Sequence, residues 1–182
     1  MLPLMFRIAR LCPIAYFCPN LITIMIKLLV FDWGDTIMRD FDLPGPMSAW
    51  PDVAWIEGAE TALRTLSSKY TCAIATSADH SDVAEMKKAL KRVGADRYFH
   101  LFYSQKELGY KKPDVRFFTS VLRLSGFAPS ESAMIGNLYD KDIIGAKAAG
   151  MTTCWYNETD IRGNHPLADH IITRMEQLLN IF

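Results

Sequence analysis

Three times along this chain a short run of apolar residues stops abruptly on polar ones. Leu28-Leu29-Val30-Phe31 ends on Asp32, Cys72-Ala73-Ile74-Ala75 on Thr76 and Ser77, and Ala133-Met134-Ile135-Gly136 on Asn137. Apolar runs this short, bounded by turn residues, read as strands covered on both faces, and such strands belong to parallel sheets. Tyr98 to Ser104, Met151 to Tyr156 and Asp169 to Ile172 add further strand segments. Between them the apolar residues take helical spacing. Ala59, Ala62, Leu63 and Leu66 share one face within Glu57 to Lys69, and Val83, Met86, Leu90 and Val93 do so before Gly94, with Asp79 or Ser81 as the cap. Pro113 is expected to open a third helix carrying Val115, Phe118, Val121 and Leu122 and ending at Gly126. Helices over Asp140 to Ala149 and Arg174 to Leu179 complete the pattern. Strands alternating with helices at these lengths predict an α/β, doubly wound parallel sheet. In such sheets ligands bind beyond the carboxyl ends of the strands, so the polar tips are where chemistry is expected.

The length of 182 residues suits one domain, expected over residues 25–182, with a core that needs no disulfide or metal staple. Twenty basic and twenty acidic residues cancel, so no charge excess points to nucleic acid or acidic membranes as partners. Cys12, Cys18, Cys72 and Cys154 form no CxxC pair and no histidine stands at zinc-finger spacing, the usage of reduced thiols in a cytoplasmic protein. Residues 1–24 differ from the rest: they are apolar, carry only Arg7 and Arg10 as charges, and are broken by Pro3, Pro13 and Pro19. That is too interrupted for a good membrane span, and the segment reads as an extension outside the fold, with a targeting or membrane-associated role as the alternative.

Four sets of polar residues are expected at the one sheet edge: Asp32 with Asp35, Thr76 with Ser77, Lys112 before Pro113, and Asn137 with Asp142. Asp32, Asn137 and Asp142 offer hard oxygen ligands of the kind magnesium takes, Lys112 a compact positive charge, and Thr76 a hydroxyl donor for an anionic oxygen. A carboxylate held against a metal and a lysine stays ionised and can attack phosphorus. Each residue alone also has an ordinary reading: Lys112 beside Lys111 as a solvated pair, Thr76 as a strand-end hydroxyl, Asp142 as a first-turn charge complementing a helix dipole. The conjunction, in order and at strand ends, favours a site.

Phe31-Asp32-Trp33-Gly34-Asp35-Thr36, Thr76, Lys112-Pro113-Asp114, and Gly136 to Ala146 with Ala149-Gly150-Met151 resemble in order the four motifs of the haloacid dehalogenase-like (HAD) hydrolases, mostly magnesium-dependent phosphatases. The resemblance spans nearly all of residues 27–157 and implies a Rossmann-like core. It implies Asp32 as the nucleophile forming an aspartyl phosphate, Thr76 and Lys112 as the other catalytic residues, and Asp32, Gly34, Asn137 and Asp142 around Mg2+. Two departures stand out. The family's phosphatases usually carry a second aspartate two residues after the nucleophile, as acid for the leaving alcohol and base for the attacking water, and this chain has Gly34 there; Asp35, one residue on, need not point at the leaving group. General acid catalysis is typically worth about 100 to 10,000-fold, so slow cleavage of alkyl phosphates is expected, with tolerance for leaving groups that need no proton. The second departure is Asn137 for the usual aspartate, which leaves one less negative charge to hold the ion.

Only 44 positions separate Asp32 from Thr76 and 36 separate Thr76 from Lys112, and the expected helices fill both intervals. No separate cap domain is therefore expected, and an uncapped site would admit a bulky phosphorylated substrate. The loop from Phe41 to Trp55, with Trp50 and Trp55, is either a small lid or partner surface or ordinary loop packing. A magnesium-dependent phosphohydrolase or phosphotransferase is the leading expectation. Gly34 feeds the alternative of a weak or inactive HAD-fold binding or assembly module. A dehalogenase is disfavoured, because such relatives work without metal while Asn137 and Asp142 keep a metal-like pattern.

Overall fold

The computed structural model describes residues 25–182; the expectations placed on residues 1–24, Cys12 and Cys18 among them, lie outside the described residues. Six parallel strands form one sheet: β1 (Leu28–Phe31), β2 (Thr71–Thr76), β3 (Leu101–Ser104), β4 (Ser132–Gly136), β5 (Thr152–Tyr156) and β6 (His170–Ile172). Their spatial order is β3-β2-β1-β4-β5-β6, so the chain starts in the middle and winds outward in both directions. β1 pairs with β2 from Leu28 opposite Thr71 and with β4 from Leu28 opposite Ser132. Where the winding reverses, between β1 and β4, the connections leave in opposite directions and open a crevice at the strand ends.

Period-two alternation sorts the strand residues into two cores. Leu29, Phe31, Cys72, Ile74, Ala133 and Ile135 face one layer, which contains α1 (Ala59–Leu66) and α2 (Val83–Val93). Leu28, Val30, Ala73, Ala75 and Met134 face the other, built on α4 (Val115–Ser125) and α5 (Ile144–Ala148). Both layers draw on the helical faces expected from the spacing: Leu63 and Leu66, Met86 and Leu90, and Phe118, Val121 and Leu122 are all buried. The doubly wound reading of the sequence holds.

Several boundaries differ from expectation. Asp82, not Asp79 or Ser81, caps α2, accepting from the Glu85 amide at 2.8 Å, while Ser81 is buried. Pro113 does not occupy the first helical position: Asp114 is the cap of α4, and Pro113 precedes it after a cis peptide bond with Lys112. The Tyr98 to Ser104 segment splits into a 3-10 turn at Asp96–Tyr98 and β3, which leads straight into a four-residue helix, α3 (Gln105–Leu108). Asp140 to Ala149 is not uniformly α-helical: Tyr139–Ile143 takes a π-helical turn before α5. The last segment is 3-10 over Met175–Asn180, where the Gln177 side chain accepts from the amides of Thr173 and Arg174 at 2.8 and 3.0 Å.

Between β1 and α1 the chain forms a wall rather than a domain. Isolated bridges join Gly34 to Met38 and Met38 to Trp55, and a 3-10 turn covers Met47–Ala49. Arg92 at the end of α2 holds this wall by donating to the carbonyls of Ser48, Trp50 and Pro51 at 3.3, 2.5 and 2.9 Å. The tryptophans serve its packing: Trp50 is buried and donates to the Pro44 carbonyl, and Trp55 donates to the Val93 carbonyl.

Candidate active site

The carboxyl ends of β1 and β2, the wall, and the segments bearing Lys112 and Asp142 enclose a cleft of about 450 Å³. Asp32 follows β1 directly, its amide donating to the Ile135 carbonyl of β4 at 2.9 Å. Lys112 crosses beneath the tip of β2: its backbone amide donates to Ser77 Oγ at 2.9 Å, and its ammonium turns inward. All three ammonium protons have acceptors, in Asp32 Oδ1, Asp142 Oδ1 at 2.7 Å and the Ala75 carbonyl at 3.2 Å. Asp142 is delivered by the π-helical turn, and its second oxygen accepts from the Leu138 amide at 2.9 Å. Gly136 makes room for it, since a Cβ there would collide with the Asp142 carboxyl. Gly145, nine residues on, clears a second contact: a Cβ would strike the Phe118 ring and the Pro113 carbonyl, so its absence lets α5 close against the segment that carries Lys112.

Burial makes this trio costly unless its charges are matched. Asp32, Lys112 and Asp142 are 8, 4 and 1 % exposed, and two carboxylates share one ammonium. A buried charge without a partner is strongly penalised. Burial pushes the Asp142 carboxyl up to about 6; Lys112 opposes that shift and the Asp32 carboxylate adds to it. Burial alone would lower the Lys112 ammonium, but Asp142 and Asp32 outweigh it and hold it above its ordinary range. The trio therefore has room for one more positive charge.

Thr36 ties the two halves of the crevice together. Its hydroxyl lies 3.4 Å from Asp32 Oδ2 and 3.3 Å from Asn137 Oδ1, with one proton for both, and it accepts from the Asn137 amide at 3.2 Å. Asn137 sits beside the cleft rather than on its lining, its side-chain oxygen turned to Thr36. Thr76 and Gly34 line the cleft, and Thr76 Oγ1 accepts from the Ala78 amide at 3.1 Å, which leaves its own proton to donate. Gly34 offers only its backbone carbonyl. The donor set is thus two carboxylates, an amide oxygen and a carbonyl, all hard oxygens, beside an uncompensated negative charge; a magnesium ion fits such a set. Among the described residues no group of three or more His, Cys, Asp and Glu side chains gathers as a cation site.

Asp35 lies away from the cleft. Its backbone takes the left-handed conformation (φ 52°), and its Oδ1 accepts from Arg39 at 3.2 Å and from the Asp40 amide at 3.1 Å. Asp40, by contrast, lines the cleft, and its Oδ2 stands 3.3 Å from the point that a Cβ of residue 34 would occupy. Neither Asp40 nor Thr36 was singled out by the sequence pattern. Thr36, four residues past Asp32, was within reach of a motif reading, whereas Asp40 lies in an irregular loop with no periodicity to place it.

Known proteins resemble this chain in both sequence and fold. The family model for haloacid dehalogenase-like hydrolase matches residues 46–156, more than half of the chain, taking in Thr76, Lys112, Asn137 and Asp142 and beginning after Asp32 and Gly34. A glyceraldehyde 3-phosphate phosphatase of Pyrococcus furiosus is 33 % identical over 127 residues, 67 % of this chain and 51 % of that protein. The chain thus spans about half the length, or less, of the curated relatives it matches. Among solved structures, an uncharacterized protein from Listeria monocytogenes superposes with a TM-score of 0.76 at 22 % identity, over 86 % of this chain and 96 % of that one. YfnB of Bacillus subtilis, solved bound to magnesium, superposes at 0.71 and 19 % identity, over 86 and 98 %.

Proposed function

The chain belongs to the haloacid dehalogenase-like hydrolase family, and from that premise we propose that it is a magnesium-dependent phosphohydrolase whose nucleophile is Asp32. The observation that carries the reading is the Lys112 ammonium, buried and shared between Asp32 and Asp142 at the end of the central strand. That contact sets a positive charge against the Asp32 carboxylate and fixes its direction, as a nucleophile requires. The carboxylate attacks phosphorus, the ester oxygen departs, and water then cleaves the aspartyl phosphate to release inorganic phosphate. The free proton of Thr76 meets an oxygen of the transferring group, and the Lys112 charge, its protons already taken up, offsets at short range the negative charge that accumulates there. Thr36 restrains the second oxygen of Asp32 while the first is held by Lys112.

Asp32, the Gly34 carbonyl, Asn137 and Asp142 are the residues that would hold magnesium. When bound, the ion neutralises charge on the phosphoryl oxygens and relieves the repulsion between the two buried carboxylates. The cleft, whose lining includes Leu43, His80 and Lys141, is open to solvent, which suits a phosphorylated substrate larger than a simple sugar phosphate. A phosphatase named among the relatives supports the reaction class for this chain. Among the described residues no helix is long and apolar enough to cross a membrane.

The test is a metal-dependent screen of phosphate esters with wild type and Asp32→Asn. Turnover that needs magnesium and disappears in Asp32→Asn is expected, as the amide is neither a comparable nucleophile nor an equal ligand. Unchanged turnover in Asp32→Asn removes the nucleophile, and a wild type inert to every ester favours the binding-module reading.

A further inference from the structure

We propose that Asp40 supplies the proton to the leaving group and takes one from the attacking water, standing in space for the side chain that Gly34 lacks. The inference rests on the phosphohydrolase reading above. Cleaving an alkyl phosphate requires a proton at the departing oxygen, and the donor has to reach the cleft without already being committed to Asp32. Lys112 is committed to Asp32, and Asp142 is committed to Lys112 and the Leu138 amide. Of the other acids and bases lining the cleft, Asp79 is occupied by Gln105 Nε2 at 2.7 Å, a contact that holds its carboxyl below the usual range. Asp40 is the one that abuts residue 34, two positions beyond Asp32, with Oδ2 at 3.3 Å, Cβ at 3.6 Å and Cγ at 3.8 Å from the would-be Cβ. A side chain at position 34 would compete for the space that this carboxyl fills.

The loop holds Asp40 from both sides. Its amide donates to Asp35 Oδ1 at 3.1 Å, and Asp35 is in turn fixed by Arg39, which Glu158 grips through both oxygens at 2.9 and 2.7 Å. On the far side the Asp42 amide donates to Asp40 Oδ1 at 2.9 Å. Among the described residues Oδ2 accepts no hydrogen bond, so one oxygen is anchored and the other faces the cleft. A carboxyl restrained by such a shell is oriented before substrate arrives. In the first half-reaction an Asp32 oxygen bonds to phosphorus as the P–O bond to the alcohol breaks, and the Asp40 proton passes to that alcohol oxygen. In the second, water attacks the same phosphorus, its proton returns to the Asp40 carboxylate, and the bond from Asp32 to phosphorus breaks.

The experiment compares kcat/KM for an alkyl phosphate and for 4-nitrophenyl phosphate, whose leaving group needs no proton, in wild type, Asp40→Asn, His80→Gln and Asp32→Asn, all with magnesium. Asp40→Asn is expected to lower the alkyl ester by about 100 to 10,000-fold and the aryl ester by no more than a few-fold. Retained aryl turnover also reports an intact fold and nucleophile. An unchanged alkyl-to-aryl ratio in Asp40→Asn, or a selective alkyl loss in His80→Gln instead, overturns the assignment while Asp32-dependent turnover keeps the phosphohydrolase reading standing. A wild type that turns over neither ester removes both.

Discussion

Lys112 is the residue on which the charges of the site balance. Replacing it with methionine keeps the stem's bulk and leaves two buried carboxylates without the cation between them. Removing one partner from a buried ionic group commonly costs about 3–5 kcal/mol. We expect Lys112→Met to lose stability on that scale in urea titrations with a chelator present, and to recover part of it when magnesium is added. Equal stability of wild type and variant in the chelator would mean that the carboxylates are protonated or solvated and that no such balance exists. The same residue illustrates what a chain can disclose before it folds. A lysine next to a lysine is ordinarily solvated, and nothing local in Lys111-Lys112-Pro113 announces that the second one is 4 % exposed. Only its order among the other motif segments singled it out. Asp40 had no such help, because its position depends on the left-handed turns at Asp35 and Asp42 and on a distant Glu158, none of which leaves a periodic trace.

At the level of elements, the junction between α4 and α5 decides whether Lys112 and Asp142 meet. Gly145 is the contact point, where a methyl group would press on the Phe118 ring and the Pro113 carbonyl. Overpacking of this kind typically costs about 1–3 kcal/mol, and here part of the strain has to be relieved by moving the Lys112 segment. Gly145→Ala is therefore expected to lower both the urea midpoint and kcat, whereas Gly126→Ala, at a position with open space around it, is expected to strain the left-handed cap of α4 and lower stability alone. Equal kcat losses in the two variants would detach the junction from the chemistry. The strands and helix faces were readable in advance because burial imposes periods of two and 3.6 on the residues that face a core. The π-helical turn was not: the polar first turn Tyr139-Asp140-Lys141-Asp142 looks the same in sequence whether the turn is widened or not, and widening is what sends Asp142 inward. The same limit put the cap of α2 at Asp79 or Ser81, since three neighbouring residues can each cap and tertiary burial of Ser81 chose Asp82.

Across the whole molecule, the sheet order places the first strand of the fold at its centre, with β2 and β4 hydrogen-bonded along its two edges. Backbone amides exchange with solvent only when their segment opens, and β1 cannot open unless one half of the sheet separates from the other. We expect deuterium uptake by the Leu28–Phe31 peptide to be the slowest in the protein and to track global unfolding, with β6 and the Met175–Asn180 turn exchanging first; faster uptake in β1 than in β6 would contradict this. The proposed nucleophile hangs from the slowest strand, while the wall that completes the cleft is hung from the end of α2 by Arg92. Heat or denaturant should thus dismantle the site in two stages: substrate affinity fades first as the wall loosens, and the reactive carboxylate persists until the molecule as a whole gives way.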